Sequence, residues 1–444
     1  MKPRTALVAL ALTTALTTAL VAPTAGVAAA PEGRTPSANK PKVINRCLSS
    51  VPDPGTTAPV KICFTMFRPA RAKNRHKVPV IMQSHGWAGS RTKDAAAFKK
   101  FLDAGYAVLS YDQRGFGESG GQAYVENPDV EGHDVRALVD FIASRTWVKK
   151  DGPGDPRLGA IGGSYGGGYQ FLGAFEELRL KGKPIFDALA PQITWNDLRD
   201  SLAPSGVVRT EWALALSAAA LPSNALPPSV YKGLVEGAAI GTLPDGSTPG
   251  TENLQAFFEK NGPRWHIEHG RKLDIPVLFG QGMTDSLFNA QQGLANWHQA
   301  ITKRARKKSI FIGYNGGHVL PALLPQGVNV TSDPCSKQLG GGDFAALSLR
   351  FFDEQLKKKD TGLTGYKRIH LATPGSTCLT VKSDAPTRSY AVGTVTTPTT
   401  AGVPVSTKIA SGPLSVAGSP TVTARVGRRL ACMVMDYCSS RNST

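Results

Sequence analysis

The stretch RLGAIGGSYGGGYQF, residues 157–171, decides how this chain is read. Gly162-Gly163-Ser164-Tyr165-Gly166 meets the pattern G-x-S-x-G, in which a serine sits on a sharp turn between a strand and a helix. Gly117-Glu118-Ser119-Gly120-Gly121 meets it as well, so the pattern alone does not choose. Context does. RLGAIGG (157–163) reads as a strand, and 164–178 reads as a helix despite its glycines. The small neighbours let the backbone pass close to adjoining elements. Such a turn lifts the hydroxyl above a sheet, where a helix N-terminus favours developing negative charge. Ser119 lies well past its strand and runs into GQAYVENP, which reads as loop. Ser164 is the candidate nucleophile and Ser119 a structural serine.

Outward from this turn the text alternates. VPVIMQSHG (78–86), YAVLSYD (106–112), FDALAPQIT (186–194), IPVLFGQG (275–282) and SIFIGYNGGH (309–318) read as strands. Between them, 94–105, 130–145, a segment near 286–300 and 343–359 have helical spacing. Strands alternating with helices predict an α/β fold, a mostly parallel sheet with helices on both faces. The rhythm breaks over 196–270, which carries Trp212 and Trp265 in helical or irregular text. That segment reads as a helical cap inserted into the sheet. After 360, short β-like runs such as YKRIHLATP and CLTVKS suggest an appended β segment. The expected organisation is a signal peptide over 1–29, a leader over 30–58, a core first part over 59–195, the cap over 196–270, a core second part over 271–360, and a partial C-terminal β domain over 361–444.

A serine hydroxyl is a weak nucleophile until a base takes its proton, and a carboxylate must orient that base. Asp285 falls just past the strand that follows the cap, and His318 just past the next one. Ligands collect at such C-terminal strand ends in open parallel sheets. His133 and His298 lie on predicted helices, His266 and His269 in or near the insert, and His370 beyond the core. Asp274 precedes its strand. For an oxyanion, Tyr165 supplies one backbone N–H, and Trp87, in the SHGWAG loop after an earlier strand, is the natural second donor. This chemistry calls for no metal and no cofactor.

MKPR followed by TALVALALTTALTTALV and GVAAAP reads as a secretory leader with the cut after Ala29. No later segment is long and apolar enough to span a bilayer, so the expected product is extracellular, with no membrane partner once the leader is cut. Secretion favours pairing of the 6 cysteines. Cys47 and Cys63 flank a turn rich in proline and glycine and are the expected pair. No cysteine has the spacing of a zinc site. The formal net charge is +18, with dense runs at KRARKK (303–308) and KKK (357–359). No nucleic-acid motif accompanies them, so they read as solvated loop and helix ends.

YDQRGFGESGG, GGSYGG, GQGMTDSLF and GYNGGH, in that order, resemble the X-Pro dipeptidyl-peptidase and cocaine-esterase family of α/β-hydrolases, over roughly 60–360 with a weaker trace to about 426. The resemblance implies an α/β-hydrolase fold with a helical cap and a C-terminal jelly roll. It implies Ser164, Asp285 and His318 as a triad, with Asp112 and Arg114 holding the loop beside the site. Where cocaine-esterase-like members place a tyrosine hydroxyl in the oxyanion hole, this chain has Trp87, which leaves a backbone-only hole. The β text is also shorter than a jelly roll and reads as truncated. The implied activity is that of a secreted X-Pro dipeptidyl-peptidase-like hydrolase; alternatives are a carboxylic esterase and a non-catalytic, basic wall-binding protein. Substrates would be short peptides or small esters. A peptidase would need an acid for the free amine, and Glu126, Asp197, Asp200, Glu211 and Glu236 all stay open.

Overall fold

Short apolar runs with alternating burial build the sheet. On β3 (Val80–Ser84) and β4 (Ala107–Tyr111), Val80, Met82, Ala107 and Leu109 pack on one face, while Ile81 and Val108 pack on the other. That two-sided burial marks strands covered by helices on both sides. The computed structural model describes residues 40–320 and 330–383, with 391 and 411 as isolated positions. The expected signal peptide, Cys432, Cys438 and the β text beyond 383 fall outside the described residues, apart from those two positions.

The remaining strands are β1 (Lys42–Ser50), β2 (Val60–Arg68), a small hairpin of β5 (Lys150–Gly152) and β6 (Asp155–Pro156), β7 (Leu158–Gly163), β8 (Ala188–Gln192), β9 (Leu278–Gly282), β10 (Ile310–Tyr314), β11 (Ile369–Ala372) and β12 (Cys378–Val381). Ten strands form one sheet in the order β1-β2-β4-β3-β7-β8-β9-β10-β11-β12. From β4 to β11 every pair is parallel. β1, β2 and β12 join antiparallel at the edges. Helices α2 (Glu131–Ala143) and α3 (Tyr165–Lys181) cover one face, and α1 (Lys99–Ala104), α11 (Pro334–Gly340) and α12 (Phe344–Lys357) the other. Between β9 and β10 run α9 (Ala290–Ala295), a π-wound turn over 296–300 and α10 (Lys303–Arg306).

Between β8 and β9, α4 (Leu198–Leu202), α5 (Thr210–Ala220), α6 (Pro228–Ile240), α7 (Leu254–Phe257) and α8 (Pro263–Glu268) form a helical insert. Its own apolar cluster includes Leu202, Val230 and Leu254, and it closes onto Trp195 and Tyr165. Polar side chains root it. Gln292 accepts from Asn196 N–H at 2.8 Å, and Asn196 donates to Asn296 at 2.9 Å.

Two segments depart from expectation. Within the stretch read as leader, residues 42–50 form the edge strand β1, paired along its length with β2. Its mostly exposed side chains give no apolar alternation, which is why it reads as leader. The first β text after 360 does not start a separate domain either. Ile369 and Leu371 are buried, and β11 extends the main sheet beside β10. Strand propensity alone does not identify the partner strand.

Cys47 and Cys63 face each other across β1 and β2 and are disulfide-bonded. A second bond, Cys335–Cys378, ties α11 to β12. The first closes a short loop around an exposed edge strand, a crosslink worth about 3 kcal/mol in chain entropy. Replacing both Cys47 and Cys63 by serine should lower stability by about 2–4 kcal/mol and leave β1 fast-exchanging. An unchanged denaturant midpoint with protected β1 amides would contradict this.

Candidate active site

The turn at Ser164 is built by backbone crowding. Ser164 has φ 57° and ψ −123° at the N-terminus of α3, a sparsely populated conformation that only a well-packed surround maintains. A Cβ on Gly162 would lie 2.3 Å from the Gly166 carbonyl oxygen, and one on Gly166 would lie 2.4 Å from the Ser84 carbonyl oxygen. Both positions therefore require glycine. The Ser164 N–H donates to the Gln192 carbonyl at 2.9 Å, which ties the turn to the end of β8.

Three loops at the C-terminal ends of strands converge here. His318 Nε2 lies 2.7 Å from Ser164 Oγ, and His318 Nδ1 lies 2.7 Å from Asp285 Oδ2. The same carboxylate oxygen accepts the His318 backbone N–H at 2.9 Å. Asp285 Oδ1 accepts from Leu287 N–H at 2.9 Å and Phe288 N–H at 2.7 Å. Four donors thus hold one buried carboxylate in a single orientation. With Nδ1–H donating to Asp285, the Nε2 lone pair faces the hydroxyl. Ser286 braces the histidine loop from behind, donating from N–H and Oγ to the His318 carbonyl at 2.8 and 2.9 Å. From the insert, Arg209 donates to the carbonyls of Ser286 and Leu287 and Trp212 stands edge-on to the imidazole, as does Phe288 from the loop after β9.

The Gly86–Trp87 loop lies against Ser164; a Cβ on Gly86 would sit 3.7 Å from Ser164 Cβ. His85 fixes this loop, a role the sequence reading did not assign. Its Nδ1–H donates to the Gly86 carbonyl at 2.8 Å, and its Nε2 accepts the Gln113 N–H at 3.0 Å. Burial lowers its pKa, in keeping with a neutral ring. The Gly89 N–H also donates to the Gly86 carbonyl, at 3.0 Å. Because the peptide is planar and trans, pinning that carbonyl turns the Trp87 N–H the opposite way. Neither the Trp87 nor the Tyr165 N–H has an acceptor among the described residues. The Trp87 ring packs edge-on to Tyr165, with centroids 5.0 Å apart.

Ser119 sits elsewhere. Its Oγ accepts the Cys63 N–H and donates to the Asp112 carbonyl, both at 2.8 Å. It stitches the RGFGESGG loop to β2 and makes no hydrogen bond to Ser164, His318 or Asp285. Asp112 takes Arg91 as a buried ion pair and accepts the Glu118 N–H. Arg114, fully buried, reaches Asp134 at 2.7 Å and Asp53 at 2.8 Å. Those carboxylates keep it charged against the opposing effect of burial. Of the other histidines, His266 stacks on Phe175 at 4.7 Å, and burial pulls its pKa down to about 3.

An apolar cavity opens on Ser164. Its walls include Val125, Leu198, Leu202, Leu226, Leu234 and Phe258. None of Glu126, Asp197, Asp200, Glu211 and Glu236 lines it. Asp197 caps α4 and Asp200 accepts from Gln292. Glu236 accepts from Thr248, and Glu211 is exposed on α5. Glu126 is buried in a separate small cavity with Trp195, Lys260 and His266. Burial, and then the neighbouring Glu131 and Asp134, push its pKa well up, which leaves it neutral.

The family model for X-Pro dipeptidyl-peptidase of the S15 family matches residues 58–319, more than half of the chain. The chain belongs to that family of serine hydrolases. It is 27% identical to the uncharacterized protein YcjY of Escherichia coli (strain K12), over 28% of this chain and 39% of that protein. With the quorum-quenching protein AidA of Acinetobacter baumannii (strain MDR-ZJ06) it shares 32% identity, over 51% of this chain and 76% of that one. Among solved structures, an α-amino acid ester hydrolase superposes with TM-score 0.52 at 15% identity, covering 81% of this chain and 61% of that one. At that identity the likeness establishes the α/β-hydrolase fold alone. The chain thus spans less than two thirds of both YcjY and the ester hydrolase.

Gly166→Ala should destabilise the protein by a few kcal/mol, since the new Cβ meets fixed backbone on β3. Ser119→Ala should cost about 1–2 kcal/mol through its two lost hydrogen bonds and leave the Ser164 row intact. Thermal melts of the two variants check both. A Gly166→Ala variant as stable as the parent would refute the crowding argument.

Proposed function

We propose that the protein hydrolyses carboxylic esters of apolar acyl groups through an acyl-enzyme. Ser164 is the nucleophile, His318 the general base and acid, and Asp285 the group that orients the imidazole. The observation that carries the substrate class is the cavity beside Ser164, whose walls are apolar and free of every acid considered for binding an amine. Seating a peptide's terminal ammonium there would bury an unpaired charge, at a cost of several kcal/mol. An acyl chain instead gains about 0.8 kcal/mol per buried CH₂.

His318 Nε2 takes the Ser164 proton as Oγ bonds to the ester carbonyl carbon, and Asp285 stabilises the imidazolium. The carbonyl oxygen becomes an oxyanion held by the Trp87 and Tyr165 N–H groups. Collapse breaks the bond to the alcohol, which leaves with the proton from His318. Water then adds to the acyl-Ser164 ester, giving up its proton to His318, and the acid departs as Oγ regains a proton. His85 acts through the Gly86–Trp87 peptide plane and is a positioning residue. The basic leader and the two disulfides support secretion.

Family membership favours a second reading, cleavage of X-Pro peptides. A panel of p-nitrophenyl acyl esters and chromogenic X-Pro amides separates the two. We expect esters to be turned over at least about a hundredfold faster by kcat/KM, a gap of about 2.7 kcal/mol. The reverse ranking would sink the ester reading. Ser164→Ala should abolish turnover and labelling by a fluorophosphonate probe. Asp285→Asn should keep the fold and lose about 10⁴ in kcat, by analogy with a serine protease triad. Near-full activity in Asp285→Asn would remove that residue from the assignment.

A further inference from the structure

The parallel strands end at the candidate site and begin at the opposite edge of the sheet, roughly 17–20 Å away. That far edge is basic. Lys77 precedes β3, Arg157 precedes β7, Lys183 precedes β8, Lys272 precedes β9, Lys307 and Lys308 precede β10, and Lys367 precedes β11. These strands are successive neighbours in the sheet. At about 4.8 Å per strand the row spans roughly 24 Å.

Part of this charge has an internal explanation. Arg157 and Lys183 pair with Asp151 and Asp155. Lys181 and Lys357 lie in the last turns of α3 and α12, where the helix dipole favours a cation, and pair with Glu177 and Asp353. Lys77, Lys272, Lys307, Lys308 and Lys367 have no such account. All five are exposed, and none forms an ion pair among the described residues. Lys272 and Lys367 belong to no helix, and Lys307 and Lys308 follow one of 4 residues. Like charges set side by side repel in the free protein, and a bound polyanion relieves that repulsion.

We infer that this edge is a docking surface for a linear phosphodiester polymer without bases, of the kind found in anionic cell-wall chains. Lys272, Lys307, Lys308 and Lys367 precede three neighbouring strands, β9, β10 and β11, so an extended chain can meet them in turn. Nucleic acid shares the phosphates, but binding single strands relies on aromatic rings that stack the bases. Among the described residues, Tyr366 is the exposed aromatic ring, next to Lys367, and it already lies under Arg350. Docking here would leave the Ser164 edge facing away from the polymer. This inference is independent of which acyl donor the site takes.

The full chain should be retained on beads carrying poly(glycerol phosphate) at about 50 mM salt. Raising salt to about 200 mM should weaken binding about a hundredfold, as five released counterions require. Lys272→Glu, Lys307→Glu, Lys308→Glu and Lys367→Glu together should lower affinity at least about tenfold and flatten the salt dependence, with ester hydrolysis unchanged. A control with the same net charge, Arg46→Glu, Lys61→Glu, Lys232→Glu and Arg264→Glu, away from the edge where the strands begin, should bind like the parent. If the first set fails to fold, the corresponding Lys→Gln set replaces it. Equal losses in both sets would reduce the effect to bulk charge and overturn the inference. So would failure of the parent to bind, or tighter binding of single-stranded DNA of equal length and charge.

Discussion

Everything at the candidate site depends on the close approach of backbone at Gly162, Gly166 and Ser84. The α3 N-terminus can reach β3 only because two positions lack a Cβ. That contact goes with a positive φ at Ser164, a strained conformation for a residue with a Cβ, and Oγ projects toward His318 above the sheet. A strained residue persists only where its surroundings over-determine it. Here the Ser164 N–H is tied to β8, and its carbonyl accepts N–H groups from Gly167 and Gly168. The cost of the strain is spread over three strands and a helix.

Around that fixed point the loops are held by buried charge. Asp112 with Arg91, and Arg114 with Asp134 and Asp53, pin the loop that follows β4. Such pairs contribute little net stability once desolvation is counted, but removing one partner strands the other at a cost of 3–5 kcal/mol, on the order of the usual buried pair. Their effect is geometric: they give a long glycine-rich loop one conformation. Beside them Glu131 accepts from the Tyr124 and Asn127 N–H groups, and burial together with Asp134 pushes its pKa up to about 8. The loop under the insert is therefore tied down by carboxyl groups, and the insert supplies the apolar walls.

The sequence was most legible where position along a strand decides position in space. Ser164, Asp285 and His318 each follow a predicted core strand, and parallel strands bring their C-terminal ends to one edge. Their meeting follows from topology. Contacts between segments far apart in sequence were not legible in this way. Arg209 hooking the Asp285 loop, and Gln292 receiving Asn196, join polar residues that look like ordinary surface residues in the text. His85 escaped notice for another reason: its role runs through a peptide plane, and no spacing rule encodes that. β1 and β11 were misread because an exposed edge strand has no apolar period, and because a strand's own residues do not name its neighbour.

The same topology separates two kinds of surface. Helices that return from strand ends point their N-termini at the Ser164 edge and their C-termini at the other. The first edge carries positive partial charge from unsatisfied N–H groups, which suits an oxyanion and needs no lysine. A cluster of lysines there would compete with those N–H groups for the substrate's oxygen and would pull anions into an apolar cavity. At the second edge the helix ends are negative, which suits Lys181 and Lys357 in the last turns of α3 and α12. Charge added at that edge lies a full strand length from the reacting atoms, beyond a Debye length at physiological salt. A strongly basic protein can therefore keep an apolar cavity free of cations beside its nucleophile, provided its basic residues gather where the strands begin.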